Sequence, residues 1–265
     1  IASKIARIVA DAVPELLSDI KLFFINLFQY SVERLGWDPK PGGESHLDAM
    51  LRGELLATLA SFGHDAILKE ADRRFRVFLD DRATPLLPPD LRRAVYVAVV
   101  LNSSKSDRFG YESLLRLYRE TDLSQEKTRI LGSLCSCRDL EIINEFLNFL
   151  LSSEVRNQDV VFGLAVSLDA RETAWNWLKE NWDHITKTYG AGFLVTRFIS
   201  AVVSPFSSYE KAKEVEEFFS SRTKAYIART LRQSIERVHI NAAWSRSIRT
   251  EETHLSNTLK QQQLL

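Results

Sequence analysis

The sequence predicts an all-α fold, and three observations carry that expectation. Apolar residues recur with helical spacing along almost the whole chain. Glycine and proline are scarce, 10 and 7 in 265 residues, which favours helices. No stretch shows the strict alternation of a half-buried strand.

Taken in order, residues 3–13 place Ile5, Ile8, Val9 and Ala12 on one face. Pro14 then opens a second helix as a first-turn residue, and that helix reaches Leu35. Its most apolar part, residues 22–28, is interrupted by Asn26 and ended by Gln29. That is far short of the roughly 20 residues needed to span a bilayer, so it reads as buried helix. Gly36 closes the helix with a left-handed backbone, Pro39 and Pro41 cannot continue it, and Gly42 and Gly43 complete the turn. Ser45 stands where a cap belongs, with Asp48 three residues on and an apolar run behind it that Gly63 stops. His64 starts a helix over 64–79 whose stripe is Ala66, Ile67, Ala71, Phe75, Phe78 and Leu79. Pro88 and Pro89 forbid helix just upstream of 91–101, which Asp90 caps. That run is apolar on nearly every side and should lie between neighbours.

Shorter helices are expected over 111–119, 125–135, 139–151, 157–168 and 171–187, then 193–203, 209–219 and 223–244. A weaker one over 250–259 precedes a polar tail, so the chain reads as a single domain, 1–265, with 248–265 a weakly ordered end. Helices of this length with short connections suit either a compact bundle or a degenerate solenoid, and no clean repeat period decides between them.

Composition bounds the partners. Thirty-five basic and 35 acidic side chains cancel, so no overall field draws the chain to nucleic acid or anionic lipid. The basic-aromatic string 73–78 reads as core phenylalanines with solvated arginines, since Phe75 and Phe78 share a face and Asp72, Asp80 and Asp81 oppose a phosphate backbone. No transmembrane segment is expected. The helix over 14–35 has only Lys21 and Arg34 as basic residues, too few for a membrane-surface anchor. Cys135 and Cys137, the only cysteines, are poorly placed to bridge, which fits a reducing compartment. The chain opens on Ile1 without a methionine, as an excised piece would.

Chemistry is sparse. The five histidines, at 46, 64, 184, 239 and 254, do not cluster as metal ligands must. The C-x-C pair has no further soft ligand nearby and reads as small apolar packing. No phosphate loop or nucleophile elbow occurs, so no catalytic residue, metal ligand or cofactor-binding residue is assigned.

The segment over 34–64 resembles the opening of the C-terminal helical domain of zinc aminopeptidases of the gluzincin class, most closely the puromycin-sensitive branch. The resemblance continues through residues 91–100, 152–159, 190–199 and 241–244 in the same order, covering nearly the whole chain. It implies stacked antiparallel helix pairs in a HEAT/armadillo-like right-handed superhelix. That superhelix would wall a chamber over a zinc site carried by the catalytic domain of the same polypeptide, with peptides as substrates and the cytoplasm as the compartment, peripheral membrane association being open to the parent. Zinc would belong to the parent enzyme and not to this chain. Within the two most family-like internal segments, Arg156, Gln158, Asp159 and Arg197 are the candidate contacts to the distal part of the peptide. The plain alternative is that Asn157 or Asp159 satisfies the free amides of a helix start and Arg156 pairs with a neighbouring acid, while Arg197 takes a buried acid, water or a peptide carboxylate as partner. A free-standing helical-repeat scaffold for a protein partner is the rival to the enzyme reading.

Overall fold

The computed structural model describes residues 1–39, 43–190 and 192–263, and among them every regular element is helical. The turn residues Pro41 and Gly42 lie outside the described residues. In chain order the helices are α1 (Ala2–Ala12), α2 (Leu17–Leu35, entered through a 3-10 turn Pro14–Leu16), α3 (His46–Phe62), α4 (Asp65–Asp80), α5 (Pro89–Leu101), α6 (Phe109–Glu120), α7 (Ser124–Leu134) and α8 (Leu140–Leu150). After a 3-10 turn at Val160–Gly163 come α9 (Arg171–Glu180), α10 (Trp182–Tyr189), α11 (Phe193–Val203), α12 (Tyr209–Phe219), α13 (Ala225–Thr250) and α14 (Glu252–Gln263).

Local chemistry explains the boundaries. Gly36 ends α2 at φ 59 and ψ −165, a region essentially closed to side-chain-bearing residues. Ser45 caps α3: its Oγ accepts from the Asp48 N–H at 3.1 Å and donates to Asp48 Oδ2 at 2.9 Å. Gly63 ends α3 in the left-handed conformation, and His64 Nδ1 accepts the Ile67 N–H at the start of α4. Asp139 caps α8 through the Glu141 and Ile142 amides.

Several expectations need correction. Asp90 is not the cap of α5; Pro88 holds that place, Pro89 is the first helical residue and Asp90 lies in the first turn. The helix expected over 157–168 is only the turn Val160–Gly163, because three valines and a glycine in that stretch propagate a helix poorly and Gly163 is pressed against Leu150 and Phe146. The helix expected over 171–187 breaks at Asn181, whose side-chain amide bonds the Trp177 carbonyl at 2.9 Å. Arg74 is not solvated: it is 3% exposed, hydrogen-bonds both oxygens of Asp38 at 2.8 and 2.7 Å, and bonds Glu70 and the Leu86 carbonyl.

Packing follows a simple order. α3 packs on α5, α5 on α7, α9 on α11 and α11 on α13; α4 lies against α3 and α5, α6 against α5 and α7, α10 against α9 and α11, and α12 against α13, while α8 and the 3-10 turn Val160–Gly163 lie between α7 and α9. α5 is buried from Ala94 to Val100, as its all-round apolarity requires. One continuous core runs from Leu56 to Val238. A second, smaller core joins the two ends of the chain: α1 packs on α13 and α14 on α2, with Phe24, Phe62 and Leu259 at its centre. Arg249 donates to the Asp11 and Ala12 carbonyls across that junction.

Candidate functional site

The four residues expected to meet a substrate do not form one site. Arg156 is exposed and bonds Asp159 at 2.7 Å and Ser124 Oγ at 2.8 Å. Asp159 is buried and Gln158 exposed. This trio has the geometry of a local ion pair at the entry of the 3-10 turn, the plainer of the two expectations. Arg197, on α11, is exposed, with its guanidinium 4.6 Å from the exposed ring of Phe193 and no ion pair among the described residues.

The cysteines are likewise accounted for. Both thiols are buried and free, and burial pushes Cys135 up to about 12, far from a reactive thiolate. Among the described residues no group of three or more His, Cys, Asp or Glu side chains could hold a metal ion.

A concavity of different character lies elsewhere. A cavity of about 460 Å³ sits between α1 and α2 on one side and the ends of α3, α5 and α7 with segment 165–169 on the other. Leu17, Phe62, Leu101 and Val166 supply apolar wall, and Arg7, Lys21, Arg93, Arg138 and Asp169 supply charge. Arg7 and Lys21 are half-buried, Arg93 and Arg138 exposed at the rim. Arg93 pairs with Glu54 at 2.6 Å, and Arg138 donates to the Ser61 carbonyl at 3.2 Å. Burial, then the nearby Arg138, hold the Lys21 ammonium below its ordinary range, against a smaller opposing pull from Asp169. Burial and Arg171 do the same to Arg7, with Asp11 opposing.

A second cavity, about 380 Å³ between α1, α9, α12 and α13, differs in kind. Its Arg171 binds both Asp11 oxygens at 2.8 and 2.6 Å, Ser207 donates to the same carboxylate, and Lys211 pairs with Glu172 and Glu214. Arg249 there bonds only the Asp11 and Ala12 carbonyls, and Arg246 lies over the Tyr209 ring.

The cationic cavity was missed by sequence reasoning, although a signal existed. Lys21 shares a helical face with Leu17 and Phe24, and a cation on an otherwise apolar face is a flag. Arg7 carries no such signal, since it lies on the side of α1 away from Val9 and Ala12, beside Asp11.

Similarity to known proteins fits this architecture. The model for the ERAP1-like C-terminal domain matches residues 1–240. Aminopeptidase M1 of Arabidopsis thaliana is 66% identical over 95% of this chain, and aminopeptidase M1-A of Oryza sativa subsp. japonica 55% identical over 97%. Glutamyl aminopeptidase of Sus scrofa is 27% identical over 87%. The chain spans 29% of the length of the two plant proteins and 24% of the third.

Proposed function

The chain belongs to the ERAP1-like C-terminal domain family of M1 aminopeptidases, and on that premise we propose that it serves as the non-catalytic C-terminal domain of a zinc enzyme that removes N-terminal residues from peptides. The observation that carries this reading is the family match over 240 residues together with close similarity to proteins more than three times as long. Among the described residues no group of three or more His, Cys, Asp or Glu side chains could hold a metal ion, and zinc would be held by the remainder of the parent polypeptide. There zinc would activate water, and this chain would contribute no step of the chemistry.

Its part is enclosure and length selection. The successive packing of α3 on α5 and α7, and of α9 on α11 and α13, supports a HEAT-like superhelix, one face of which would wall the chamber. The cavity-bearing face and Arg197 would meet the distal part of a long peptide, in the cytoplasm. The balanced ion pairing of Arg156 makes it the weaker contact of the two arginines.

The test uses the full-length parent. Its kcat/KM on peptides of increasing length is compared with that of the parent truncated before this domain, alongside a single aminoacyl reporter. Loss of the length dependence with reporter hydrolysis less affected supports the reading; superimposable length profiles refute it. A parent without a His-Glu-x-x-His segment would favour a free-standing scaffold instead.

A further inference from the structure

The 380 Å³ cavity between α1, α9, α12 and α13 holds charge that the chain fixes in place without neutralising. Arg249 donates to the Ala12 and Asp11 carbonyls at 3.1 and 3.3 Å, which leaves most of its N–H donors free, and it binds no carboxylate among the described residues. Arg246 lies 5.1 Å from the centre of the Tyr209 ring and makes no ion pair among the described residues. Glu210, on the first turn of α12, lines the same cavity and is answered by no cation among the described residues. The other carboxylates on the wall are taken, Asp11 by Arg171 and Glu172 by Lys211. On the α13 side the Ser245 side chain is 4% exposed, lines the cavity and has no hydrogen-bond partner among the described residues. Buried hydroxyls are ordinarily satisfied, so this one points to a polar atom that the chain itself does not supply.

We propose that this cavity binds a free acidic α-amino acid, with Arg246 and Arg249 taking its two carboxylates, Glu210 its ammonium, and Ser245 Oγ donating to a carboxylate oxygen. The class follows from the charges left over. Two guanidiniums and one carboxylate are complementary to a ligand with two negative groups and one positive. An inorganic anion would leave Glu210 unanswered, and a neutral zwitterion would leave one arginine so. The volume lies at the lower end of the roughly 300–1,000 Å³ of small-molecule sites, enough for glutamate with ordered water around it. Both guanidiniums are held before any ligand arrives, Arg249 by the two carbonyls and Arg246 by a ring that itself packs on His239 at 5.5 Å. Less side-chain freedom is therefore lost on binding than for arginines that wave in water. This inference does not depend on the aminopeptidase reading, since every group it uses lies within the chain.

The test is titration calorimetry of the full-length parent, its catalytic centre blocked with a hydroxamate, against L-glutamate. Two comparison compounds dissect the ligand: glutarate, which lacks the ammonium, and L-alanine, which lacks the second carboxylate. Saturable binding of L-glutamate is expected, about tenfold or more tighter than that of either comparison compound. Arg246→Met and Glu210→Gln should each raise its dissociation constant about tenfold or more. Ser245→Ala should weaken binding about threefold and leave the ligand-free melting temperature level or higher, because the hydroxyl it removes has no partner in the chain. Lys213→Met, on the exposed side of α12, should change nothing. No saturable binding of L-glutamate overturns the proposal. Glutarate or L-alanine bound as tightly as L-glutamate overturns the ligand class, and unchanged affinity in both Arg246→Met and Glu210→Gln overturns the location. A clear fall in ligand-free melting temperature in all three cavity variants would make these groups structural, and the site would fall with it.

Discussion

Replacing Arg52 by Met should unfasten the turn between α2 and α3 without opening a void, since the methionine keeps most of the aliphatic stem. The guanidinium is 4% exposed. Its Nε donates to the Gly36 carbonyl at 3.1 Å, its Nη2 to the Leu35 and Asp38 carbonyls at 3.2 and 3.5 Å, and its Nη1 to Glu44 at 2.8 Å. The substitution therefore leaves three turn carbonyls short of a donor and one largely buried carboxylate without its cation. Removing one partner of a buried pair costs about 3–5 kcal/mol, and water reaching the turn places this case near 3. For a chain of this size that is a fall of about 6–12 °C in Tm. Far-UV circular dichroism on heating reads it directly. Adding Glu44→Gln to Arg52→Met should restore roughly 1 kcal/mol by removing the stranded charge. A fall of less than about 2 °C, or a double variant no better than the single, would show that Arg52 does not clamp the turn.

Two further outcomes follow from the same structure. Gly36→Val should cost roughly 1–3 kcal/mol through backbone strain alone, because φ 59 with ψ −165 suits only glycine and nothing lies within 4 Å of an added Cβ; an unchanged Tm would contradict this. Acid should destabilise the domain in a defined window. Hydrogen bonds from Arg73 and then Arg74 hold Glu70 at about 2 against its burial. For Glu214 burial pulls upward, but the bonds from Lys211, Trp175 and Lys179 outweigh it and hold it at about 2. Both folded values lie below the unfolded one, so this stability is complete above about pH 4.5 and lost as pH falls toward about 2. Tm should be flat between about pH 7 and 5 and fall below that. Both carboxylates are partly open to water, so the effect is modest. A double Glu70→Gln, Glu214→Gln variant with the same acid limb as the wild type would remove these groups as its cause.

How much of this was legible follows from the range of the interactions involved. Ser45, Asp48, Gly63 and His64 act within four residues of themselves, and the sequence places their caps and stops correctly. α5 is legible for a different reason: an apolar residue at nearly every position leaves only one place for such a helix. The failures are tertiary. Asn181 breaks a helix that its neighbours would continue, and the break lets Trp177 stack on Phe198 while Trp182 meets Phe219. Arg74 reads as a surface residue until Asp38, 36 positions away, folds against it. Ala66, counted on the buried stripe of α4, is exposed, because it is turned about 100° around the helix from Ile67, which is covered. For the site the lesson is sharper. Arg156 and Arg197 drew attention through their segments, whereas Arg7 and Lys21 acquire meaning only when α1 and α2 come to face α5 and α7 across the cavity.

One carboxylate links the closure of the fold to the charge of that cavity. Arg7 and Asp11 are four residues apart on α1, the spacing at which a helix ordinarily pairs opposite charges. Asp11 is instead taken by Arg171 through two bonds and by the Ser207 hydroxyl. Its backbone carbonyl is taken by Arg249. These contacts fix α1 against α9 and α13, and so bring the first helix of the chain to its last third. The same contacts turn Asp11 away from Arg7 and set Arg171 near enough to repel it. Lys21, one helix later, has only Asp169 to draw on and faces Arg138 as well. The unpaired cations are thus a consequence of how the chain ends are locked together. A surface charge could be lost without structural effect, but this one could be neutralised from within only by giving up the Asp11–Arg171 pair that closes the fold.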